Sequence, residues 1–172
     1  MRLRAIEFQV SDLARIGHVH LRVSDLDRAT AFYCDVLGFK VKADARAIGV
    51  PAVFLAAGDY HHHIALNTFE GTGLQPAPAG HTGLFHLAIV LPDREALARA
   101  VAHVAAGGWQ LDGGRDHGAT VSVYLRDADR NGIELYYDRP QRDWFDAEGR
   151  PLLRNDVIDL AALIAEAEHV GV

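Results

Sequence analysis

A chain of 172 residues can bury one substantial core, and its 49% apolar and 23% charged content is that of an ordinary globular domain. The formal net charge of −6, with no basic stripe, sets aside a nucleic-acid backbone as partner. No stretch approaches the roughly 20 apolar residues of a membrane span, and the opening Met1–Glu7 is too charged to read as a signal peptide. Cys34 is the only cysteine, which excludes an intrachain disulfide or a cysteine-based zinc site and fits a reducing cytoplasm. Ten histidines are the compositional oddity. Two of them, His103 and His169, fall in Ala-rich helical stretches and read as bystanders.

In chain order, Ile6–Val10 is a candidate edge strand. His18-Val19-His20-Leu21-Arg22-Val23-Ser24-Asp25 follows as a run of β-formers ending in an acid placed to cap a helix. From Asp25 to Leu37 the residues Leu26, Ala29, Phe32, Tyr33, Val36 and Leu37 recur at helical intervals, and Gly38 can supply the left-handed stop. Phe39–Ala43, Ala52–Ala57 and His62–Asn67 are strand candidates. Gly71–Gly83, with Pro76 and Pro78, reads as a linker.

The pattern then begins again. His86-Leu87-Ala88-Ile89-Val90-Leu91-Pro92-Asp93 repeats the histidine, strand and capping aspartate of the first half. A helix to Ala106 presents Leu97, Ala100, Val101 and Val104, Gly107-Gly108 ends it, and strands are predicted at Trp109–Leu111, Thr120–Arg126 and Ile133–Tyr137. Asp156–His169 is amphipathic and predicts a helix packed on the outside. The chain therefore reads as βαβββ twice within one domain: a module at about 16–69, a linker at 70–83, a module at about 84–140 and an extension at 141–172. The fold class is α+β.

If the two modules pair about a pseudo-twofold axis into a curved mixed sheet, His18 and His86 occupy equivalent points, and a metal near the axis could take a nitrogen from each. Two coincidental strand histidines are the alternative at this point. Glu134 shifts the balance. It lies among apolar residues after the polar turn Asp127-Ala128-Asp129-Arg130-Asn131-Gly132, and a carboxylate there is costly to bury unless something such as a cation partners it. His20 shares a strand face with His18, because side chains alternate along a strand.

These segments resemble the vicinal-oxygen-chelate superfamily of glyoxalases, extradiol dioxygenases and fosfomycin-resistance transferases. The resemblance is carried by Gly17–Leu26, by Phe32–Phe39, by Leu84–Ile89 and by the turn and strand from Asp127 to Glu134. It implies a divalent metal held by His18, His86 and Glu134, with His20 beside it in the substrate bowl. Glyoxalases of this fold place a further carboxylate where the register puts Ala65, and alanine cannot coordinate. Two histidines and one carboxylate suit a non-haem Fe(II) oxygenase, with Mn(II) or another divalent metal as the alternative.

Within the superfamily the chain resembles catechol-2,3-dioxygenase-like proteins, on His62–Phe69, Asp116-His117-Gly118, Gly132–Pro140, Trp144 and the tail Gly149–Leu163. That likeness implies extradiol cleavage of a catechol-like aromatic substrate by O2. In it His63 lines the oxygen side, His117 is the acid-base group and Tyr124 bonds the substrate. A Gly-flanked turn residue is the plainer reading of His117, and a solvated loop entry that of His61 and His62. The turn at 127–132 lacks the proline and one glycine usual in the subgroup. A glyoxalase- or thiol-transferase-like metalloenzyme and a resistance-type binding protein are the alternatives on the same fold. Exposed sheet edges lead us to expect a homodimer with one metal per chain.

Overall fold

The computed structural model describes residues 9–78 and 80–169. Most of the candidate strand Ile6–Val10 lies outside them, and Gln9 and Val10 carry no regular structure. The first module runs β1 (Val19–Arg22), α1 (Leu26–Ala31), β2 (Lys40–Asp44), β3 (Ala52–Ala56) and β4 (Ile64–Asn67). The second runs β5 (Leu87–Leu91), α2 (Arg94–Ala106), β6 (Leu111–Gly118), β7 (Thr120–Arg126) and β8 (Gly132–Asp138). The extension adds β9 (Leu153–Val157) and α3 (Leu160–His169).

Both predicted caps form. Asp25 accepts from the Arg28 N–H at 2.9 Å and Asp93 from the Ala96 N–H at 2.8 Å, each occupying a donor that the first helical turn cannot use. The first helix departs from the simple periodicity. After Ala31 it widens into a π-helical turn, Phe32–Val36, before Gly38 stops it at φ +79°. That turn buries Phe32 and Tyr33.

The strands form two separate mixed sheets, ordered β1-β4-β3-β2 and β5-β8-β7-β6-β9. Within each, the first strand pairs parallel to the last of its module, Val19 with Ile64 and Leu87 with Ile133. Strand β8 shows why one face is core and the other is free. Ile133, Leu135 and Tyr137 are buried, while Gly132, Glu134 and Tyr136 between them are only partly covered.

One apolar core joins the modules through their helical sides. Phe32 and Tyr33 share it with Leu97, Val101, Val104 and Leu135, and the Phe32 ring meets Trp109 edge-on at 4.5 Å between centroids. Polar groups lock the same junction. The Tyr33 hydroxyl donates to Asp127 Oδ2 at 3.0 Å. Asp129 accepts from the Ser24 hydroxyl, from the Ser24 N–H at 3.2 Å and from Arg28 Nη2 at 2.7 Å. Asp127 also binds the N–H groups of Asp129 and Asn131, so neither buried carboxylate lacks donors. The acids of the 127–132 turn therefore fasten module to module. Burial together with Asp127 raises the Tyr33 phenol far above its ordinary range.

Three sequence expectations shift. The strand expected at Trp109–Leu111 instead begins at Leu111 and runs to Gly118, which takes His117 out of a turn and into a strand. The helix expected over Asp156–His169 starts only at Leu160, because β9 occupies Leu153–Val157 and extends the second sheet beside β6. The α+β class and the paired βαβββ modules are as expected, but the strands form two mixed sheets rather than one, and the modules share a core in which α1 and its π turn meet α2 and Trp109.

Arg130 stands in the 127–132 turn at φ +64°, the only non-glycine residue with positive φ among the described residues. A side chain there costs about 1–2 kcal/mol relative to glycine, partly offset by glycine's greater freedom when unfolded, about 0.5–1 kcal/mol. Arg130→Gly should therefore raise stability by up to about 1 kcal/mol, and Arg130→Val should lower it. Chemical denaturation of the three proteins reads both signs, and a destabilised Arg130→Gly would contradict the strain.

Candidate functional site

His86 and Glu134 come together at the start of β5 and on the free face of β8. Ala88 and Glu134 are register partners, and His86 lies one step outside that pairing, on the same side as Ala88. His86 Nε2 lies 2.9 Å from Glu134 Oε2. The carboxylate only accepts, so Nε2 carries the hydrogen, which leaves Nδ1 as an acceptor. That Nδ1 is buried and has no hydrogen-bond partner. A proton held between a ring nitrogen and a carboxylate oxygen is the simplest occupant of a place with donors for a cation.

The backbone that carries His86 passes directly over Gly132. A Cβ at Gly132 would stand 2.2 Å from the Phe85 carbonyl oxygen and 3.1 Å from the His86 Cβ. The first of these is a collision with backbone, which cannot be relieved by a rotamer change. Gly132→Ala should push β5 away from β8 at its start, separate His86 from Glu134 and destabilise the chain by about 2–4 kcal/mol. Denaturation together with metal content reads both effects. A stable Gly132→Ala protein with unchanged metal binding would show that the close approach does not fix the pair.

Tyr124 and His117 extend the cluster. Tyr124 is the register partner of Glu134 and donates to its Oε1 at 3.0 Å. Burial, with Glu134 as the second cause, raises the Tyr124 phenol above its ordinary value. His117 Nε2 lies 2.7 Å from the Tyr124 hydroxyl, and its Nδ1 faces the Arg154 carbonyl at 3.2 Å. Strand β9, absent from the sequence expectation, supplies that carbonyl.

His18 lies elsewhere. It precedes β1, is exposed, and packs its ring against His62 at 4.5 Å. His20 sits two residues on, between Phe54 at 6.5 Å and Phe69 at 5.8 Å. Burial, then the charge of His18, lowers the pKa of His20, and burial followed by the surrounding histidines lowers that of His62. Among the described residues no three ligand-type side chains stand close enough to hold one ion. The chain thus presents two part-sites, His18 with His20 and His62, and His86 with Glu134, Tyr124 and His117.

His63 differs from its sequence reading. Strand alternation would put His63 on the face of Ala65; its N–H donates to the Leu55 carbonyl and its carbonyl accepts from the Val19 N–H, but the regular strand β4 begins only at Ile64. The His63 ring packs on Tyr60 at 4.7 Å and its Nδ1 accepts from the Ala57 N–H at 3.4 Å, whereas His62 turns toward His18. His62, whose plainer sequence reading is a solvated loop entry, packs against His18, and only the end of the strand signals it. Ala65 is fully buried, paired with His20 and Phe54, and offers no ligand.

Residues 15–135 match the family described as the Glyoxalase/Bleomycin resistance protein/Dioxygenase superfamily, and the chain belongs to it. Among curated proteins it is 36% identical over 155 residues to Catechol-2,3-dioxygenase of Bacillus subtilis (strain 168), covering 88% of this chain and 52% of that protein. It is 32% identical over 124 residues to Biphenyl-2,3-diol 1,2-dioxygenase 3 of Rhodococcus globerulus, covering 72% of this chain and 63% of that one. The chain therefore spans about half to two thirds of these relatives. A probable lactoylglutathione lyase of Synechocystis sp. is 26% identical, with 73% of this chain and 97% of that protein covered. The fold matches a glyoxalase/dioxygenase from Nostoc punctiforme at a TM-score of 0.66 and 21% identity, over 81% of this chain and all of that one. Among the described residues no helix is long and apolar enough to cross a membrane.

Proposed function

We propose that the chain is a metal-dependent extradiol-type dioxygenase acting on a catechol-like aromatic substrate. The observation that carries this reading is the unbroken polar chain His117–Tyr124–Glu134–His86, which ties a proton-carrying histidine to a candidate ligand pair. The identity to the two dioxygenases supports it. The lack of any donor at Ala65 counts against a lyase reading.

His86, Glu134 and His18 would hold the metal, and the His86 Nε2 set 2.9 Å from the acceptor-only Glu134 carboxylate fits a cation in place of the proton they share. When bound, a divalent iron supplies the Lewis acidity and redox chemistry that bring a catechol and O2 to reaction; Mn(II) is the alternative.

The chain's own residues manage the protons. A carbonyl only accepts, so His117 Nδ1 carries a hydrogen toward Arg154. With neutral His117, the single Tyr124 hydrogen must choose between His117 Nε2 and Glu134 Oε1. With His117 protonated, both contacts are satisfied at once, Nε2–H donating to the phenol oxygen and the phenol to Glu134. A proton taken from a substrate hydroxyl can thus rest at His117 Nε2 and return later, which is general base and then general acid work. His20, set between Phe54 and Phe69, would face the aromatic substrate. His63 has no contact that gives it a step.

Since one chain holds its ligands in two part-sites, the reading includes a homodimer in which a second copy completes each site. Among the described residues β1 pairs only with β4 and β5 only with β8, so the strands that follow His18 and His86 both have an edge that no described strand covers. Exposed apolar residues flank the same edges: Ile16 at 88%, Leu84 at 63% and Phe85 at 83%. Laying β1 of one copy beside β5 of another would cover both edges twice by one twofold operation and bring His18 to His86 and Glu134. The reaction is tested by oxygen uptake from the Fe(II)-loaded protein across a panel of catechols. No uptake across the panel would sink the dioxygenase reading.

A further inference from the structure

A pocket of about 460 Å³ opens beside the His86–Glu134 pair, walled by the free face of β6, β7 and β9. That size suits a small aromatic molecule. His117 and Tyr124 stand on its wall, and so do two cations, Arg115 and Arg126. The cations are not equivalent. Arg126 Nε lies 2.9 Å from Asp112 Oδ2, so its charge is matched. Arg115 makes one hydrogen bond, to the Gly114 carbonyl at 3.0 Å, and no carboxylate among the described residues pairs with it.

The fold puts this unmatched charge on the reacting side. Arg115 lies two residues before His117 on β6, so both point to one face. It is the register partner of Ser122, two residues from Tyr124 on β7. Its neighbour Asp116 points to the opposite face and is held there by Arg139 at 2.6 Å. Only half-exposed, Arg115 is thus a guanidinium with most of its donors uncommitted, in a pocket whose other charges are paired. A guanidinium fork matches a carboxylate in plane and in spacing, better than it matches a neutral hydroxyl.

We infer that Arg115 anchors a carboxylate substituent of the aromatic substrate, so that the site takes carboxylated catechols in preference to neutral ones. This deepens the dioxygenase reading and rests on it for the catechol. The anchor holds the far end of the ring system while the diol faces the ligand pair, with His117 and Tyr124 alongside.

The test compares 3,4-dihydroxyphenylacetate with its methyl ester, which keeps the diol and removes the charge. Equilibrium binding to the metal-loaded protein is measured without oxygen, and oxygen uptake is measured separately. Wild type should bind the acid tenfold to a hundredfold more tightly than the ester, the range for a charge-assisted hydrogen bond. Arg115→Gln should remove that preference by weakening the acid alone, with ester binding and metal content within about threefold of wild type. Arg115→Lys should keep part of it, since the charge remains and the fork is lost. Equal binding of acid and ester by wild type would overturn the proposal, as would an Arg115→Gln protein that keeps the preference or binding of neither compound. If the acid preference is present and vanishes in Arg115→Gln while no oxygen is consumed, the anchor stands and the dioxygenase reading fails. If both compounds bind equally and oxygen is consumed, the anchor fails and the dioxygenase reading stands.

Discussion

His18→Ala and Glu134→Ala proteins should each lose stoichiometric metal, and mixing the two should restore a quarter of the sites. The loss follows from the ligand count: a three-donor site deprived of one donor competes poorly with water, and in Glu134→Ala the remaining His86 loses its carboxylate partner as well. The restoration follows from the two part-sites. If each site combines His18 of one copy with His86 and Glu134 of another, a mixed dimer has one site carrying both defects and one carrying neither. Random exchange makes half of the dimers mixed, and half of their sites are intact. If both part-sites met within one chain, every site in the mixture would carry a defect and nothing would return. Metal analysis of the separate and exchanged proteins reads the outcome without any substrate. His20→Ala should keep most of its metal, since His20 lies between Phe54 and Phe69 rather than beside the acid. An empty His20→Ala protein beside a full His18→Ala protein would reverse the assignment of the two histidines.

That experiment falls where sequence and structure part company. The repeat, the two Asp caps and the Gly38 stop are local features, set by hydrogen-bond donors and backbone conformations within a few residues, and they could be read in chain order. So could the placing of Glu134, because strict alternation on β8 forces it onto the face opposite Ile133 and Leu135. What alternation could not give was where a strand ends. Strand β4 begins one residue after His63, and that single residue exchanged His62 for His63 beside His18. Strand β6 contains Gly113, Gly114 and Gly118, which mask strand propensity, so His117 resembled a turn residue until pairing with β7 and β9 was visible. The relative placing of the modules was least legible. It depends on Phe32, Trp109, Tyr33 and Asp127 meeting across long sequence separations, and a repeat by itself is compatible with either side of a module facing its twin.

His117→Gln should keep its metal, bind a catechol and turn over about 10²- to 10⁴-fold more slowly, the contribution of a positioned acid-base group. Glutamine can still donate toward the Tyr124 hydroxyl or the Arg154 carbonyl, so the wall of the pocket keeps its shape. It cannot take up a proton, and the state in which Tyr124 donates to Glu134 while the neighbouring side chain holds a proton is lost. Tyr124→Phe separates the two jobs of that hydroxyl. It removes the bond to Glu134 Oε1 and isolates His117 from the ligand pair, for a loss of roughly 0.5–1.5 kcal/mol, or about tenfold in rate. The double variant should be no slower than His117→Gln by more than a few-fold, because the two residues act as one path and their effects do not add. The measurement is oxygen uptake under saturating catechol with iron content matched across the four proteins. Uptake by His117→Gln equal to that of wild type would keep the reaction and remove His117 from it, and losses that multiply in the double variant would mean that Tyr124 and His117 serve separate steps.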